Sequence, residues 1–173
     1  MLPGIAGLFL SGICVVSLAQ GQYRFRPFPI DGGGAVQCVA VSPHDPNLVL
    51  AGVDVAGIAR STDGGRSWTM SYQGLVRQSD YALADLAFCP SRANRIYAAV
   101  GNTWSEDGFV SSLMVSDDFG LSWKRISDEV PFGGHLTRQR GKILIVGAKD
   151  PLHLWAGTTI RGVMETSDGG RPG

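Results

Sequence analysis

The stretch that decides the fold is Ser61-Thr62-Asp63-Gly64-Gly65-Arg66-Ser67-Trp68. A related stretch, Ser-Asp-Asp-Phe-Gly-Leu-Ser-Trp, occupies positions 116–123, and a third begins at 166–170 as Thr-Ser-Asp-Gly-Gly. The shared pattern, Ser/Thr-x-Asp-x-Gly-x-Ser/Thr-Trp, is the Asp-box. In this turn the carboxylate accepts backbone N–H hydrogen bonds, the glycine takes a positive φ, and the tryptophan buries its ring beneath the turn. The sequence therefore predicts structural roles for Asp63, Gly65, Trp68, Asp118, Gly120, Trp123, Asp168 and Gly170.

The Asp-boxes recur at a nearly constant distance along the chain. Asp63 and Asp118 are 55 residues apart, and Asp118 and Asp168 are 50 residues apart. The flanking sequence repeats too, since Asn47–Ala51 matches Asn94–Ala98. Repeats of about 40–50 residues with four short strands each are typical of propeller blades. The sequence thus predicts an all-β chain, a β-propeller with Asp-box repeats, whose blades lie at about 35–75, 80–128 and 138–173.

The blade at 138–173 is incomplete by this pattern, because Pro172-Gly173 stand where a Ser/Thr and a Trp are expected. A propeller usually has four to eight blades, and each buries its faces only against its neighbours. With about two and a half blades, we expect this chain to be part of a larger propeller.

Short runs of apolar and β-branched residues between turn signals predict the strands of each blade. A longer loop, residues 102–110, is expected between the second and third strands of the second blade. The predicted strands are Val36–Val41, Leu48–Gly52, Ile58–Ser61 and one starting at Trp68; then Ala84–Phe88, Arg95–Gly101, Ser112–Ser116 and Trp123–Ile126; and Lys142–Val146.

The N-terminal residues 1–19 have the features of a secretory signal peptide. Positions 2–19 are uncharged and mostly apolar, and small residues at Ser17 and Ala19 fit cleavage before Gln20. Secretion is therefore expected, with an uncleaved membrane anchor as the alternative. In a secreted protein Cys38 and Cys89 could form a disulfide or remain as two separately buried thiols.

The charge and the histidine spacing indicate which ligands are not expected. Lys plus Arg and Asp plus Glu number 15 each, so no net field favours nucleic acid or an anionic membrane as a partner. His44, His135 and His153 do not have the spacing of a metal site, and no Ser/His/Asp arrangement is recognisable. We predict neither a metal nor a cofactor.

Further motifs surround the boxes. They are Tyr23-Arg24-Phe25-Arg26, the Gly-rich Ile30–Val36, Asp54-Val55-Ala56-Gly57, Ile96–Gly101 and Val130–Gly134. Together with the second Asp-box they resemble the start of glycoside hydrolase family 74, the xyloglucanase-type endoglucanases. The resemblance extends from about residue 23 to residue 170.

This resemblance implies an inverting hydrolase in which two seven-bladed propellers hold a β-1,4-glucan, so the chain would be a fragment of the N-terminal propeller. Inversion requires two carboxyl groups about 6.5–9.5 Å apart. The family's base is the Asp of an Asp-Val-Gly-Gly segment, which here corresponds to Asp54, with Ala56 replacing the first Gly. The family's acid comes from the second propeller, which this chain lacks. The enzyme is expected to be secreted and monomeric when complete.

Two aromatic residues are candidates for stacking on sugar rings, namely Trp104 and Tyr81. The blade itself does not require an acid at Asp54, because the corresponding residue of the third blade is Thr159. One departure concerns residues 135–142, which contain no acid where family members often have Gly-Glu-Arg. The alternative is a non-catalytic Asp-box propeller that binds protein or glycan, as sortilin-like receptors and photosystem assembly factors do.

Overall fold

The computed structural model describes residues 35–105, 108–132 and 142–171, together with Phe25, Pro27 and Ile30. The predicted signal peptide 1–19 and most of the Gly-rich entry lie outside the described residues, as does nearly all of 135–142. The strands are β1 (Val36–Val41), β2 (Val49–Val53), β3 (Gly57–Ser61), β4 (Thr69–Ser71), β5 (Leu83–Phe88), β6 (Ile96–Ser105), β7 (Gly108–Ser116), β8 (Lys124–Ser127), β9 (Leu144–Val146), β10 (Leu154–Gly157) and β11 (Val163–Thr166).

These strands form three antiparallel sheets in chain order. The first contains β1–β4, the second β5–β8, and the third β9–β11. The first strands of successive sheets are neighbours, because β1 lies beside β5 and β5 beside β9. Among the described residues the one helical segment is a short 3₁₀ turn, Gln78–Tyr81. The predicted all-β class and β-propeller architecture are confirmed.

The core lies between the sheets, as stacked blades require. Leu50 and Ile58 of the first sheet pack with Leu86, Ile96 and other residues of the second in one buried cluster. A second cluster joins the second sheet to the third. β2 is buried along its whole length, because Leu50 faces the second sheet while Ala51 and Val53 pack with Ala59, Trp68 and Met70 of the same blade, and its sequence, Val-Leu-Ala-Gly-Val, contains no charge.

The second sheet differs from prediction between its middle strands. The predicted loop 102–110 is wrong, since β6 and β7 continue as a hairpin in which Thr103 pairs with Val110 and Ser105 with Gly108. A register irregularity between Val100 and Thr103 accommodates the extra residues, so that the glycine and asparagine at 101–102, which signal a turn, form a bulge instead.

The connections between strands lie at two opposite edges of the sheets, because each sheet is an antiparallel meander. At the box edge lie the Asp-boxes and the turns between the first two strands of each sheet, which are joined by bonds such as Gly64 N–H to the Asn47 carbonyl at 3.0 Å. At the opposite edge lie the turn at 54–56, the hairpin tip near 105–108, and the segments that link one blade to the next. We call this the loop edge.

Candidate functional site

Hydrogen bonds saturate the carboxylates of the first two Asp-boxes. Asp118 accepts from the backbone N–H groups of Leu121 and Ser122 at 3.1 and 2.9 Å, and from the Ser122 hydroxyl at 2.5 Å. Asp63 accepts the equivalent bonds from residues 66 and 67. Burial raises the pKa of Asp118, but these bonds outweigh it and hold that pKa below the usual aspartate range. These carboxylates are therefore charged acceptors that stabilise turns.

The tryptophans of the two complete boxes have different surroundings. Trp123 is 4 % exposed and belongs to the cluster between the first and second sheets. Its Nε1–H donates to the Ser71 hydroxyl at 3.0 Å. Trp68 is half-buried and donates its Nε1–H to the Gly65 carbonyl of its own turn at 3.0 Å. The burial expected of both rings is thus complete only for Trp123.

Asp54 lies in the turn between β2 and β3, at the loop edge. Its backbone N–H donates to the Ala35 carbonyl at 2.8 Å, which ties the turn to the innermost strand. The side chain is half-buried, whereas the adjacent Val55 is 74 % exposed. Val55 has a φ of 67°, in the left-handed region that a β-branched residue rarely adopts. Strained backbone of this kind clusters at functional sites, which marks this turn as a candidate site independently of the sequence motif.

Tyr81 lies close to the Asp54 turn, because its ring is the nearest neighbour of Gly57, where a Cβ would be 3.2 Å from Tyr81 Cδ1. The Tyr81 ring also packs on Tyr72 with 5.9 Å between centroids, and its hydroxyl donates to the Leu75 carbonyl at 3.3 Å. The structure therefore brings Tyr81 and the Asp54 turn together. Trp104 lies on the hairpin of the neighbouring sheet at the same edge, where its backbone pairs with Phe109.

A buried aspartate, which the sequence did not single out, holds the segment that carries Tyr81. Asp80 is fully buried and accepts from the backbone N–H groups of Val76 and Arg77 at 2.9 and 2.8 Å. It also forms an ion pair with Arg125 of β8. This network connects the first blade's exit segment to the second sheet and fixes the position of Tyr81. The sequence offered no signal for it, because the partners are 45 residues apart.

A cleft of about 470 Å³ opens at the loop edge between the second and third sheets. Its walls include a neighbouring acidic pair, Asp128 and Glu129, and the opposing Arg161. Burial raises the pKa of Asp128, but hydrogen bonds from Ser112 and Arg77 outweigh that effect and lower it overall. The cleft is polar and open. The sequence did not predict it, because its lining residues are far apart along the chain.

Two cysteines lie among the described residues. Cys38 and Cys89 are both free thiols, and burial raises the pKa of Cys38 to about 12. No group of three or more His, Cys, Asp or Glu side chains in this part of the chain could hold a metal ion. None of its helical segments has the length and apolar character needed to cross a membrane.

Comparison with known proteins finds relatives that are described as xyloglucanases. A probable oligoxyloglucan-reducing end-specific xyloglucanase of Neosartorya fischeri is 30 % identical over 168 residues, which is 93 % of this chain and 20 % of the relative. The oligoxyloglucan-reducing end-specific xyloglucanase of Emericella nidulans is 27 % identical over 86 % of the chain and 18 % of its own length. The chain therefore spans about a fifth of these relatives. No family model matches the sequence.

Solved structures with a similar fold include a xyloglucanase and a protein of a different kind. The GH74 xyloglucanase of Xanthomonas campestris superposes with a TM-score of 0.71 and 26 % identity, over 87 % of this chain and 22 % of that enzyme. YCF48 of Cyanidioschyzon merolae shares the fold with a TM-score of 0.60, at 16 % identity over 83 % of this chain and 40 % of that protein. The comparisons confirm the resemblance of this chain to glycoside hydrolase family 74, over a segment about one fifth as long as those enzymes.

Proposed function

We propose that this chain is part of a secreted, carbohydrate-active propeller that hydrolyses xyloglucan-type β-1,4-glucans with inversion, and that Asp54 is its general base. The observation that carries the proposal is the similarity to a probable oligoxyloglucan-reducing end-specific xyloglucanase over 93 % of the chain. The names of the relatives specify action at reducing ends, whereas the family motifs imply endo-acting hydrolysis. Analysis of the products distinguishes the two modes.

The position of Asp54 suits a base that activates water. It lies at the loop edge, away from the Asp-boxes, in a turn that is tied to Ala35 by a backbone hydrogen bond and that contains the left-handed Val55. An inverting enzyme needs this carboxylate across the sugar from a carboxylic acid, at about 6.5–9.5 Å. We expect that acid to come from outside the described residues, as it does in the family.

The surroundings of the turn suit a sugar chain. We expect the partly buried Tyr81 ring beside Gly57 to stack on a sugar ring, and the hairpin that carries Trp104 extends the second sheet at the same edge. The acidic pair of the neighbouring cleft, Asp128 and Glu129, adds acceptors for sugar hydroxyls. We infer that the glucan lies across the loop edge of the blades.

Replacement of Asp54 tests the proposed mechanism. In the full-length gene product, Asp54→Asn is expected to lower the kcat of xyloglucan hydrolysis by about 10²- to 10⁴-fold, the usual contribution of a general base. The matched control is Asp45→Asn, which changes an exposed carboxylate of the same sheet at the box edge. Release of reducing ends is measured for both. Equal activity of the two variants would remove Asp54 from the mechanism.

Secretion has a separate test. We expect cleavage of residues 1–19 to leave Gln20 as the first residue. Intact-mass analysis of protein recovered from the culture medium measures this directly. Retention of the complete N-terminus in the membrane fraction would instead support the uncleaved anchor.

The alternative function is a non-catalytic propeller that binds protein or glycan. A solved neighbour, YCF48 bound to D1 peptide, has a TM-score of 0.57 to this chain and shows that a protein of this fold can bind a peptide. Xyloglucan oligosaccharides that bind without being cleaved by the full-length gene product would favour the alternative.

A further inference from the structure

The turn that carries Asp54 ends at Gly57, and two residues of the segment 75–81 pack on that glycine. A Cβ on Gly57 would lie 3.2 Å from Cδ1 of Tyr81 and 3.3 Å from Cδ1 of Leu75. The Tyr81 hydroxyl donates to the Leu75 carbonyl at 3.3 Å, so these two residues are also bonded to each other. Closely packed groups transmit small displacements, because protein interiors contain few voids. The position of the Asp54 turn therefore depends on the segment 75–81.

One fully buried carboxylate, that of Asp80, holds this segment. Its Oδ2 accepts from the backbone N–H groups of Val76 and Arg77 at 2.9 and 2.8 Å. Val76 directly follows Leu75, and Asp80 directly precedes Tyr81. Hydrogen bonds to an ionised group are roughly twice as strong as those between neutral groups. A single charged group thus fixes the backbone beside both residues that pack on Gly57.

Arg125 of β8 connects the Asp80 carboxylate to the second blade. Its Nη2 donates to Asp80 Oδ1, while its Nε donates to the Ser112 hydroxyl at 3.1 Å and lies 3.3 Å from Asp128 Oδ1. The side chain of Arg77 completes the network, because its Nη1 donates to the same Asp128 oxygen at 3.0 Å. The network lies within the first two sheets, each of which has four strands, and the segment between them. The second blade therefore supports a turn of the first.

We propose that Asp80 is a positioning residue for the general base Asp54. It acts through Leu75 and Tyr81, which keep the turn in place at Gly57. Asp80 is fully buried, so it has no contact with the substrate. A displacement of about 1 Å at a reacting group costs about 10²-fold in rate. This inference rests on the proposed function and specifies how the fold orients the base.

Replacement of Asp80 by asparagine tests the inference in the full-length gene product. The amide has one acceptor oxygen and no charge, so Asp80→Asn should loosen the segment and lower the kcat of xyloglucan hydrolysis by about tenfold to a hundredfold. Its KM should change by less than about threefold, because no substrate contact is lost. Release of reducing ends measures both constants, and urea unfolding establishes that the variant is folded under the assay conditions.

Asp85→Asn is the matched control, because Asp85 is also a buried aspartate. It accepts from the backbone N–H groups of Ile143 and Leu144, both at 2.8 Å, and is paired with Lys142. These partners lie in or directly before the third sheet rather than in the segment 75–81. We expect the kcat of this variant to stay within about twofold of wild type, whatever its stability. Equal losses of kcat in Asp80→Asn and Asp85→Asn would overturn the inference.

A double-mutant cycle tests whether Asp80 acts through the base. In an Asp54→Asn background, Asp80→Asn should lower the remaining kcat by less than about twofold, since the group that it positions is already absent. The same tenfold to hundredfold loss in both backgrounds would show that Asp80 acts independently of Asp54, which contradicts the inference.

A second variant is used if Asp80→Asn does not fold. Leu75→Ala removes one of the two contacts on Gly57 and leaves the Asp80 ion pair in place. It should also lower kcat more than it changes KM, and an unchanged kcat would contradict the inference. The Asp54→Asn variant alone separates the two proposals. Full activity of Asp54→Asn would overturn both, whereas an inactive Asp54→Asn together with a fully active Asp80→Asn would overturn only the positioning role.

Discussion

The first and second Asp-boxes contain the same turn, but among the described residues only the second is covered by a neighbouring blade. Ser61 and Ser116 donate equivalent bonds to Asp63 and Asp118, at 2.8 and 2.7 Å. Beyond the turn, the second box donates and accepts bonds with the first sheet, where the Ser71 hydroxyl donates to the Gly120 carbonyl at 2.7 Å. The described residues place no sheet before the first box. The motif therefore determines the turn, and the neighbouring blade determines how much the turn contributes to stability.

Removal of each tryptophan tests this difference most strongly. Trp123→Ala should reduce the free energy of unfolding by about 3–5 kcal/mol, because it empties a buried site and leaves the Ser71 hydroxyl without its indole partner. Trp68→Ala should cost less than half as much, since that ring is half-buried and bonds within its own turn. Urea unfolding followed by circular dichroism measures both. Similar losses would mean that the neighbouring blade adds little.

The glycines that follow the aspartates give a smaller contrast. Gly65 and Gly120 both have positive φ, at 88° and 77°, so either alanine variant should lose about 1–2 kcal/mol from backbone strain. A Cβ on Gly120 would also approach both Leu50 methyl groups of the first sheet at 3.2 Å, whereas the nearest atom to one on Gly65 is at 3.4 Å in Trp68. We expect Gly120→Ala to be the worse variant by about 1 kcal/mol, from overpacking. The difference in urea midpoints between the two variants tests this.

The fold was predictable because its signals are local. The box pattern and its spacing depend on residues that are close in sequence, and β1 was predicted with its observed limits, Val36–Val41. The half-burial of Trp68 was not predictable, because it depends on which blade lies beside the ring. The extended hairpin was missed because Gly101 and Asn102 signal a turn, although pairing resumes at Thr103 beyond the irregularity.

The candidate site was predictable only in part. The strand pattern and the family motif predict the position of the Asp54 turn. The amino-acid sequence does not predict the positive φ of Val55, because valine disfavours that conformation. The approach of Tyr81 to Gly57 depends on the buried bonds of Asp80, which join segments distant in sequence. Local sequence patterns therefore predict the Asp54 turn, whereas its surroundings depend on contacts between segments that are distant in sequence.

Acid should weaken both boxes. Hydrogen bonds from Ser67 lower the pKa of Asp63, and those from Ser122 outweigh the burial that raises the pKa of Asp118. Since these folded-state pKa values lie below the unfolded value of about 3.9, the stabilisation is complete above that pH and is lost as the pH falls below about 4. Urea midpoints should therefore be level from about pH 5 to 8 and decline below pH 4. Asp118→Asn should lower the midpoint at neutral pH and make the decline shallower, and an unchanged decline would show that other groups control it.

The smallest expected effect concerns the residue between the aspartate and the glycine of each box. The first box has Gly64 there, with a φ of 72°, whereas the second has Phe119 with a φ of 61°. Phe119 is 44 % exposed, so its ring is only partly buried. Its backbone carbonyl, which accepts from Arg60 Nε at 2.8 Å, remains in every variant. Phe119→Ala removes the ring but retains the backbone strain of a positive φ, whereas Phe119→Gly removes both. The glycine variant should therefore be more stable than the alanine variant by about 0.5–1 kcal/mol. Urea unfolding of the pair measures the difference. A more stable alanine variant would show that contacts with the first sheet hold the second turn in place without appreciable backbone strain.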